Sequence, residues 1–287
     1  MPDPQLDALV RTLAQTGARW QAGATPLAQL SIDQKRARLG VVVDQAALAR
    51  AMAPQAVAVT PAFAPAVDWR NRNCVTPPKD QGNCGSCVSF CITGLVESMA
   101  LIETGQNLDL SEADLHFCSS HGASCGGWWP DQALDQVRGR GLPDEAAFPY
   151  ASAFEGSGGG PVCRTAADRD ARAVKISSSG AISNITARKN HLTTVGPASA
   201  VLHVFEDFFA YTGGIYAHVS GSNVGLHCVL VIGYSEADQC WICKNSWGIG
   251  WGDGGYFRIG YGECGIDTEF PFSTGTGVKL PVRRGWS

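Results

Sequence analysis

Gln81-Gly82-Asn83-Cys84-Gly85-Ser86-Cys87 is the stretch from which the rest of this chain can be read. Apolar residues follow at Val88, Cys91, Leu95, Met99 and Ile102, which is helical spacing with no proline inside. Cys87 therefore stands at a helix start, behind glycines that let the backbone approach closely. A thiol is a strong nucleophile only as thiolate, so it needs a proton acceptor and a positive local field. The helix N-terminus supplies the field. Far downstream, Leu226-His227-Cys228 and Lys244-Asn245-Ser246-Trp247-Gly248 supply an imidazole and an orienting amide. In this reading Asn245 hydrogen-bonds one imidazole nitrogen and leaves the other facing sulfur, and Trp247 shields that bond from water. Among the six histidines His227 begins an apolar strand and precedes Asn245-Ser246-Trp247-Gly248, whereas His116, His121, His191, His203 and His218 read as surface or loop residues.

Each of these residues also has a plainer reading. Cys84 and Cys87 form a Cys-x-x-Cys pair that suits redox chemistry, but the βαβ context that would support it is missing. A zinc site shared with Cys240 and Cys243 is disfavoured, because residues three apart on a strand point to opposite faces. Alone, His227 reads as a structural histidine, Asn245 as a strand-end turn residue and Gln81 as a solvated turn residue.

Composition is that of an ordinary globular enzyme, 45% hydrophobic and 17% charged, and 287 residues can bury one large core or two smaller ones. A net charge of −4 gives no electrostatic footprint for nucleic acid or anionic membrane. No apolar run is expected to approach the roughly 18 residues of a membrane span. The start, Met1-Pro2-Asp3-Pro4, lacks the basic and apolar regions of a secretory signal. Eleven cysteines are many for a cytosolic chain of this size. They favour a secreted, periplasmic or lysosome-like compartment reached with a signal that this sequence does not carry.

Along the chain, Leu6, Leu9, Val10, Leu13, Gly17 and Trp20 mark one face of an amphipathic helix, and Ser31 with Gln34 caps another that stops at Gly40. Pro54, Pro61 and Pro65 break up an alanine- and valine-rich connector that is exposed and easily nicked. Residues 70 to 175 read as mainly helical, with loops at Gly122 to Gly127 and at the low-complexity Gly156 to Pro161. Beyond about 176 the texture becomes strands: Val201 to Phe205, His227 to Tyr234, Cys240 to Lys244 and Tyr256 to Ile259, with Ser235 to Gln239 as a hairpin loop.

The Cys87 signature, with His227 about 140 residues on and Asn245 about 158, resembles the papain-like cysteine peptidases, the family that includes the cathepsins. Val88 departs from the aromatic usual after the nucleophile. Further matches follow in order: Val67-Asp68-Trp69-Arg70, Val75-Thr76-Pro77, Leu110-Ser111-Glu112-Ala113-Asp114-Leu115, Gly126-Gly127, Gly213-Gly214-Ile215-Tyr216 and Trp251-Gly252-Asp253-Gly254-Gly255-Tyr256. The resemblance covers about residues 65 to 272.

It implies an α+β, two-lobed fold with a helical lobe over about 70–175 and a β-barrel-like lobe over about 176–275 that takes in the strand at 64–69. The active-site cleft lies between them. Residues 1–63 correspond to a propeptide and connector, short like that of the cathepsin B branch, that inhibits until removed. A helical extension unrelated to activation is the alternative. Cys84 is implied to pair with Cys125 and Cys118 with Cys163, Cys74 is left over as a partner for Cys264, and Cys91, Cys228, Cys240 and Cys243 remain buried free thiols.

The implied reaction is hydrolysis of protein or peptide substrates through a Cys87 thioester, with Gln81 and the Cys87 N–H as oxyanion donors and no metal or organic cofactor. A cysteine ligase or a non-catalytic binding protein on the same fold are the rivals. Without a histidine-bearing insertion between Cys125 and Cys163, the expected mode is endopeptidase. Gly127, Trp128, Trp247 and Trp251 are the expected substrate-binding residues. Cys264-Gly265-Ile266-Asp267-Thr268-Glu269 resembles a cathepsin B segment, which implies that Glu269 reaches the pocket for the second residue before the cut. Ala200 and Cys228 are then its small walls, and bulky apolar residues and Arg are accepted.

Overall fold

Short polar caps and glycines punctuate the N-terminal segment of this chain, whose computed structural model describes residues 4–53, 63–155 and 160–281. Helix α1, Pro4–Thr16, stops at Gly17, whose φ of 65° is the left-handed conformation that ends helices. Trp20, expected to continue that helix face, instead opens strand β1, Trp20–Ala22. Its indole is 3% exposed, lies 5.1 Å from the Tyr216 ring and donates to the Ala217 carbonyl at 2.9 Å. Burying a large aromatic with its N–H satisfied outweighs one more helical turn. Helix α2, Ile32–Arg36, begins with the reciprocal Ser31–Gln34 capping box and ends before Gly40. Helix α3, Gln45–Met52, is capped by Asp44. The connector prolines Pro54 and Pro61 and most of the Gly156–Pro161 stretch lie outside the described residues, while Pro65 leads into strand β2, Ala66–Asp68.

The helical lobe is organised by α4, Cys87–Thr104, closed by Gly105 in the left-handed conformation. By length and composition α4 passes for a membrane span, contrary to the expectation that no run approaches that length, yet 78% of it is buried inside the protein. It is a core helix. Ile92, Leu95 and Val96 pack against Leu115 of α5, Glu112–Phe117, and Leu134 and Val137 of α6, Pro130–Gly139. Ser111 caps α5, and Pro130 opens α6 where its missing N–H costs nothing. The disulfides Cys84–Cys125 and Cys118–Cys163 staple this lobe, and the single turn α7, Arg169–Arg172, sets Arg169 on the buried Asp114 carboxylate.

The second lobe comprises β3 (Ser178–Ile182), α8 (Ile185–Thr194), β4 (Ala198–Phe205), β5 (Tyr211–Tyr216), β6 (Asn223–Ser235), β7 (Cys240–Lys244), β8 (Tyr256–Gly260) and β9 (Phe272–Thr276). Among the described residues the strand order is β1-β5-β8-β7-β6-β4-β9-β3, with β2 paired to β6. β6 and β7 form a hairpin closed at Ser235↔Cys240, with Gln239 at a φ of 54°. The fold is thus α+β in two lobes. They meet where Cys87, Val88, Cys91 and Leu95 of α4 pack on Cys228, Leu230 and Ile232 of β6. A buried polar bridge crosses the same seam: Lys244 Nζ donates to Thr76 Oγ1 at 2.9 Å, and Thr76 donates to Glu97 of α4 at 2.5 Å. Cys87 lies at one end of that seam.

Candidate active site

Cys87 is the first residue of α4, so its sulfur sits at the positive end of the helix. The backbone N–H groups of Cys228, Gly40 and Val88 point at that sulfur, which sets it beside strand β6, the strand carrying His227. His227 Nε2 lies 2.8 Å from Asn245 Oδ1, and the same oxygen accepts the Ser246 N–H at 2.8 Å. The second donor identifies that atom as the amide oxygen, so Nε2 carries the imidazole proton. Nδ1, which keeps its lone pair, is buried and without a partner among the described residues. Trp247 covers the pair, its ring 4.7 Å from that of His227 and stacked on Phe209 at 5.0 Å.

Gln81 ties the two lobes together at this point. Its Oε1 accepts from Ser246 Oγ at 2.6 Å, and its backbone N–H donates to the Ser246 carbonyl at 3.0 Å. Its Nε2 donates to the Cys84 carbonyl at 2.8 Å and to the Arg38 carbonyl at 3.0 Å. Tyr150, which nothing in the sequence spacing singled out, donates to the Gln81 carbonyl at 2.9 Å and lies 2.7 Å from Ser86 Oγ. It braces the loop that presents both Gln81 and Cys87.

The N-terminal segment fills the cleft. Gly40 presses so closely on Gly85 that a Cβ there would stand 1.9 Å from the Gly85 oxygen. Trp128 N–H donates to the Gly40 carbonyl at 3.0 Å, and Val42 N–H donates to the Trp128 carbonyl at 2.9 Å. Gly127, at a φ of 121°, has no room for a side chain beside Gly40. Trp128 thus presents both its backbone N–H and its carbonyl to an extended chain, here in parallel register with Val41, while the Gly127 backbone pairs with Ser124. Beyond it, Val41, Val43, Ala47 and Leu48 pack against an apolar cluster of Trp129, Val201, Leu226 and Phe270.

This covering sets the electrostatics. Burial pushes the Cys87 thiol up to about 12, against the three backbone N–H groups, and pulls His227 down to about 4, against its bond to Asn245. In this state both groups are neutral at neutral pH.

Several expected site residues stand elsewhere. Ala200 points into the β-lobe core, and its strand neighbour Val201 joins that apolar cluster, because side chains alternate along β4. Cys228 faces α4. Trp251 lies wholly inside an aromatic cluster with Phe208, Trp247 and Phe257 and donates to the Phe209 carbonyl at 3.2 Å. Glu269 turns to His203 at 3.0 Å. Cys84 is engaged with Cys125, which removes the Cys84–Cys87 redox pair, while Cys74 and Cys264 are both free thiols, as are Cys91, Cys228, Cys240 and Cys243. His116 is not a surface residue: it is 1% exposed, with Nδ1 2.8 Å from Ser89 Oγ and Nε2 2.9 Å from the Ser124 carbonyl. Partners on both nitrogens make a neutral imidazole tolerable inside.

A thiol at a helix start, an imidazole with a fixed tautomer and an amide donor facing a carbonyl thus stand together at the seam between the lobes. The chain belongs to the papain family of cysteine proteases, whose family model matches residues 63–274. It is 38% identical over 216 residues to digestive cysteine proteinase 2 of Homarus americanus, a match covering 70% of this chain and 64% of that protein. The matched part thus spans somewhat under two thirds of that relative's length. Among solved structures, digestive procathepsin L 3 from the larval midgut of Tenebrio molitor superposes with a TM-score of 0.76 at 29% identity, covering 94% of this chain and 87% of that one. Procathepsin B S9 of Trypanosoma congolense shares the fold, with a TM-score of 0.80 at 23% identity over 96% of this chain and 98% of that one.

Proposed function

We propose that the chain is the precursor of a cysteine endopeptidase in which residues 1–63 are an inhibitory leader and connector and residues 64–287 the catalytic unit. The observation that carries this reading is the buried His227, held by Asn245 on the strand whose next residue, Cys228, points its backbone N–H at the Cys87 sulfur, with Gly40 seated on the loop before that sulfur. Once the leader leaves, water reaches the pair, and His227 Nδ1 takes the proton of Cys87. The thiolate, stabilised by the start of α4, attacks a peptide carbonyl lying along the Trp128 backbone. Negative charge on the carbonyl oxygen is met by the Cys87 N–H and the Gln81 amide, each such donor being worth on the order of 3 kcal/mol. His227 then protonates the leaving amine, and water hydrolyses the thioester.

The Arg38 carbonyl held by Gln81 supports the inhibitory role, since it engages the donor that a substrate would need. The catalytic set is intact, which argues against a binding protein. Two disulfides support an oxidising destination, whether secreted, periplasmic or lysosome-like. The Trp129, Val201, Leu226 and Phe270 cluster, against which leader side chains pack, supports bulky apolar residues at the second position before the cut. The test is hydrolysis of a denatured protein by the full chain after cleavage in the connector. Internal cuts are expected from wild type and none from Cys87→Ala. Release of C-terminal dipeptides alone would refute the endopeptidase mode, and activity of Cys87→Ala within tenfold of wild type would refute the nucleophile.

A further inference from the structure

Among the described residues no disulfide crosses the seam between the lobes, since Cys84–Cys125 and Cys118–Cys163 both lie within the helical lobe. Two further thiols face each other across it. Cys91 stands one turn below Cys87 on the same face of α4, and Cys228 follows His227 on β6. Their side chains hydrogen-bond to one another, and both belong to the packed cluster that joins α4 to β6. They are 5% and 1% exposed. Beside them lies a cavity of about 10 Å³, lined also by Gly94, Lys244 and Ser246, with room for about one water-sized molecule. Lys244 reaches this place closely enough that a Cβ on Gly94 would lie 3.4 Å from its Nζ.

We propose that Cys91 and Cys228 are a modification site, a dithiol that hydrogen peroxide converts into a disulfide tying α4 to β6 behind the nucleophile. The cross-link stands independently of the peptidase reading, and its effect on hydrolysis rests on that reading. Cys91 reacts first, because the Lys244 ammonium on the same cavity supplies the positive charge that a thiolate needs. Peroxide, little larger than water, gives one oxygen to that sulfur, forming the sulfenic acid and one water. The Cys228 sulfur then attacks the sulfenic sulfur: the S–S bond forms, the S–O bond breaks, and hydroxide leaves with the Cys228 proton as a second water. Two thiols thus lose two electrons and two protons, and peroxide is reduced to two waters. A dithiol reductant reverses the step by exchange. A thiol–thiol hydrogen bond is longer than the covalent S–S distance of about 2.05 Å, so closure draws the strand carrying His227 toward the helix carrying Cys87. A shift on the order of 1 Å between reacting groups can cost about a hundredfold in rate.

The test oxidises the uncut chain with hydrogen peroxide, while the N-terminal segment still covers Cys87, and maps its peptides without reduction. The expected product is one Cys91–Cys228 linked peptide lighter by two hydrogens, returned to the two thiols by dithiothreitol. Because the link spans residues 91 to 228, the urea midpoint of oxidised wild type should rise by about 1 M, and that of Cys91→Ser should not. The connector is then cut without reductant. Oxidised wild type should hydrolyse a denatured protein at least about tenfold more slowly than the untreated protein and recover on reduction, whereas peroxide should leave the rate of Cys91→Ser within about twofold of its own untreated value. Cys91→Ala serves the same purpose if the serine variant does not fold. Sulfenic or sulfinic acid on Cys91 or Cys228 without a linked peptide, a link between two chains, or equal losses in wild type and Cys91→Ser would overturn the inference. A linked peptide with a raised urea midpoint, in a protein that hydrolyses nothing even before oxidation, would uphold the cross-link and defeat the peptidase reading alone.

Discussion

Gly40→Ala adds one methyl group at the point where the proposed leader crosses the loop before Cys87. That carbon would lie 1.9 Å from the Gly85 oxygen and 2.4 Å from its carbonyl carbon, inside any tolerable contact, and backbone cannot swing aside as a side chain can. The leader must lift. Lifting it breaks the Gln81–Arg38 bond and both Trp128 bonds, at 3.0, 3.0 and 2.9 Å. At about 1 kcal/mol net per bond, the loss of about 3 kcal/mol raises the open fraction about a hundredfold. The assay is the rate at which iodoacetamide alkylates Cys87 in the uncut chain, read by peptide mass, with the partly exposed Cys74 as an internal standard. Cys87 labelling should be slow in wild type and about a hundredfold faster in Gly40→Ala, with Cys74 unchanged. Equal Cys87 rates would refute the idea that Gly40 seats the leader on the nucleophile.

Gln81→Ala should lower kcat of the cut protein by about 10²- to 10³-fold with little change in KM, because the amide acts on the developing oxyanion. A change confined to KM would contradict this. Burial lowers His116 from 6.5 to about 4, so between those values the unfolded chain binds a proton that the folded chain refuses. Stability then falls as pH drops from about 6.5 to about 4, by on the order of 3 kcal/mol from this residue. Urea unfolding of the uncut chain across that range should show the loss, and His116→Leu should make it shallower, with His191 and His227, which burial also lowers to about 4, supplying the remainder. An identical slope in the variant would rule out His116 as its source.

Sequence carried the chemistry further than the packing. Cys87 at a helix start, His227 on an apolar strand and the β6–β7 hairpin were legible because helical and strand periods are local properties of the chain. Trp20 and His116 were not, because their places depend on distant partners: Tyr211 and Tyr216 for the indole, Ser89 and Ser124 for the imidazole. Ala200 and Val201 show how small the margin is, since one residue of phase on a strand exchanges core for cleft. Glu269 was expected at the pocket only through the resemblance, and its turn toward His203 depends on a ring 66 residues earlier, brought close only by the fold.

The central claim is that Cys87 alone among the cysteines is the nucleophile, exposed when the leader is removed. A thiol-reactive peptidyl epoxide, applied to the chain before and after connector cleavage and followed by peptide mapping, tests it most directly. One adduct on Cys87, formed rapidly only after cleavage and abolishing hydrolysis in proportion to labelling, is the predicted result. Labelling of Cys91, Cys228 or Cys264 in its place, or full hydrolysis by a protein fully labelled at Cys87, would contradict it.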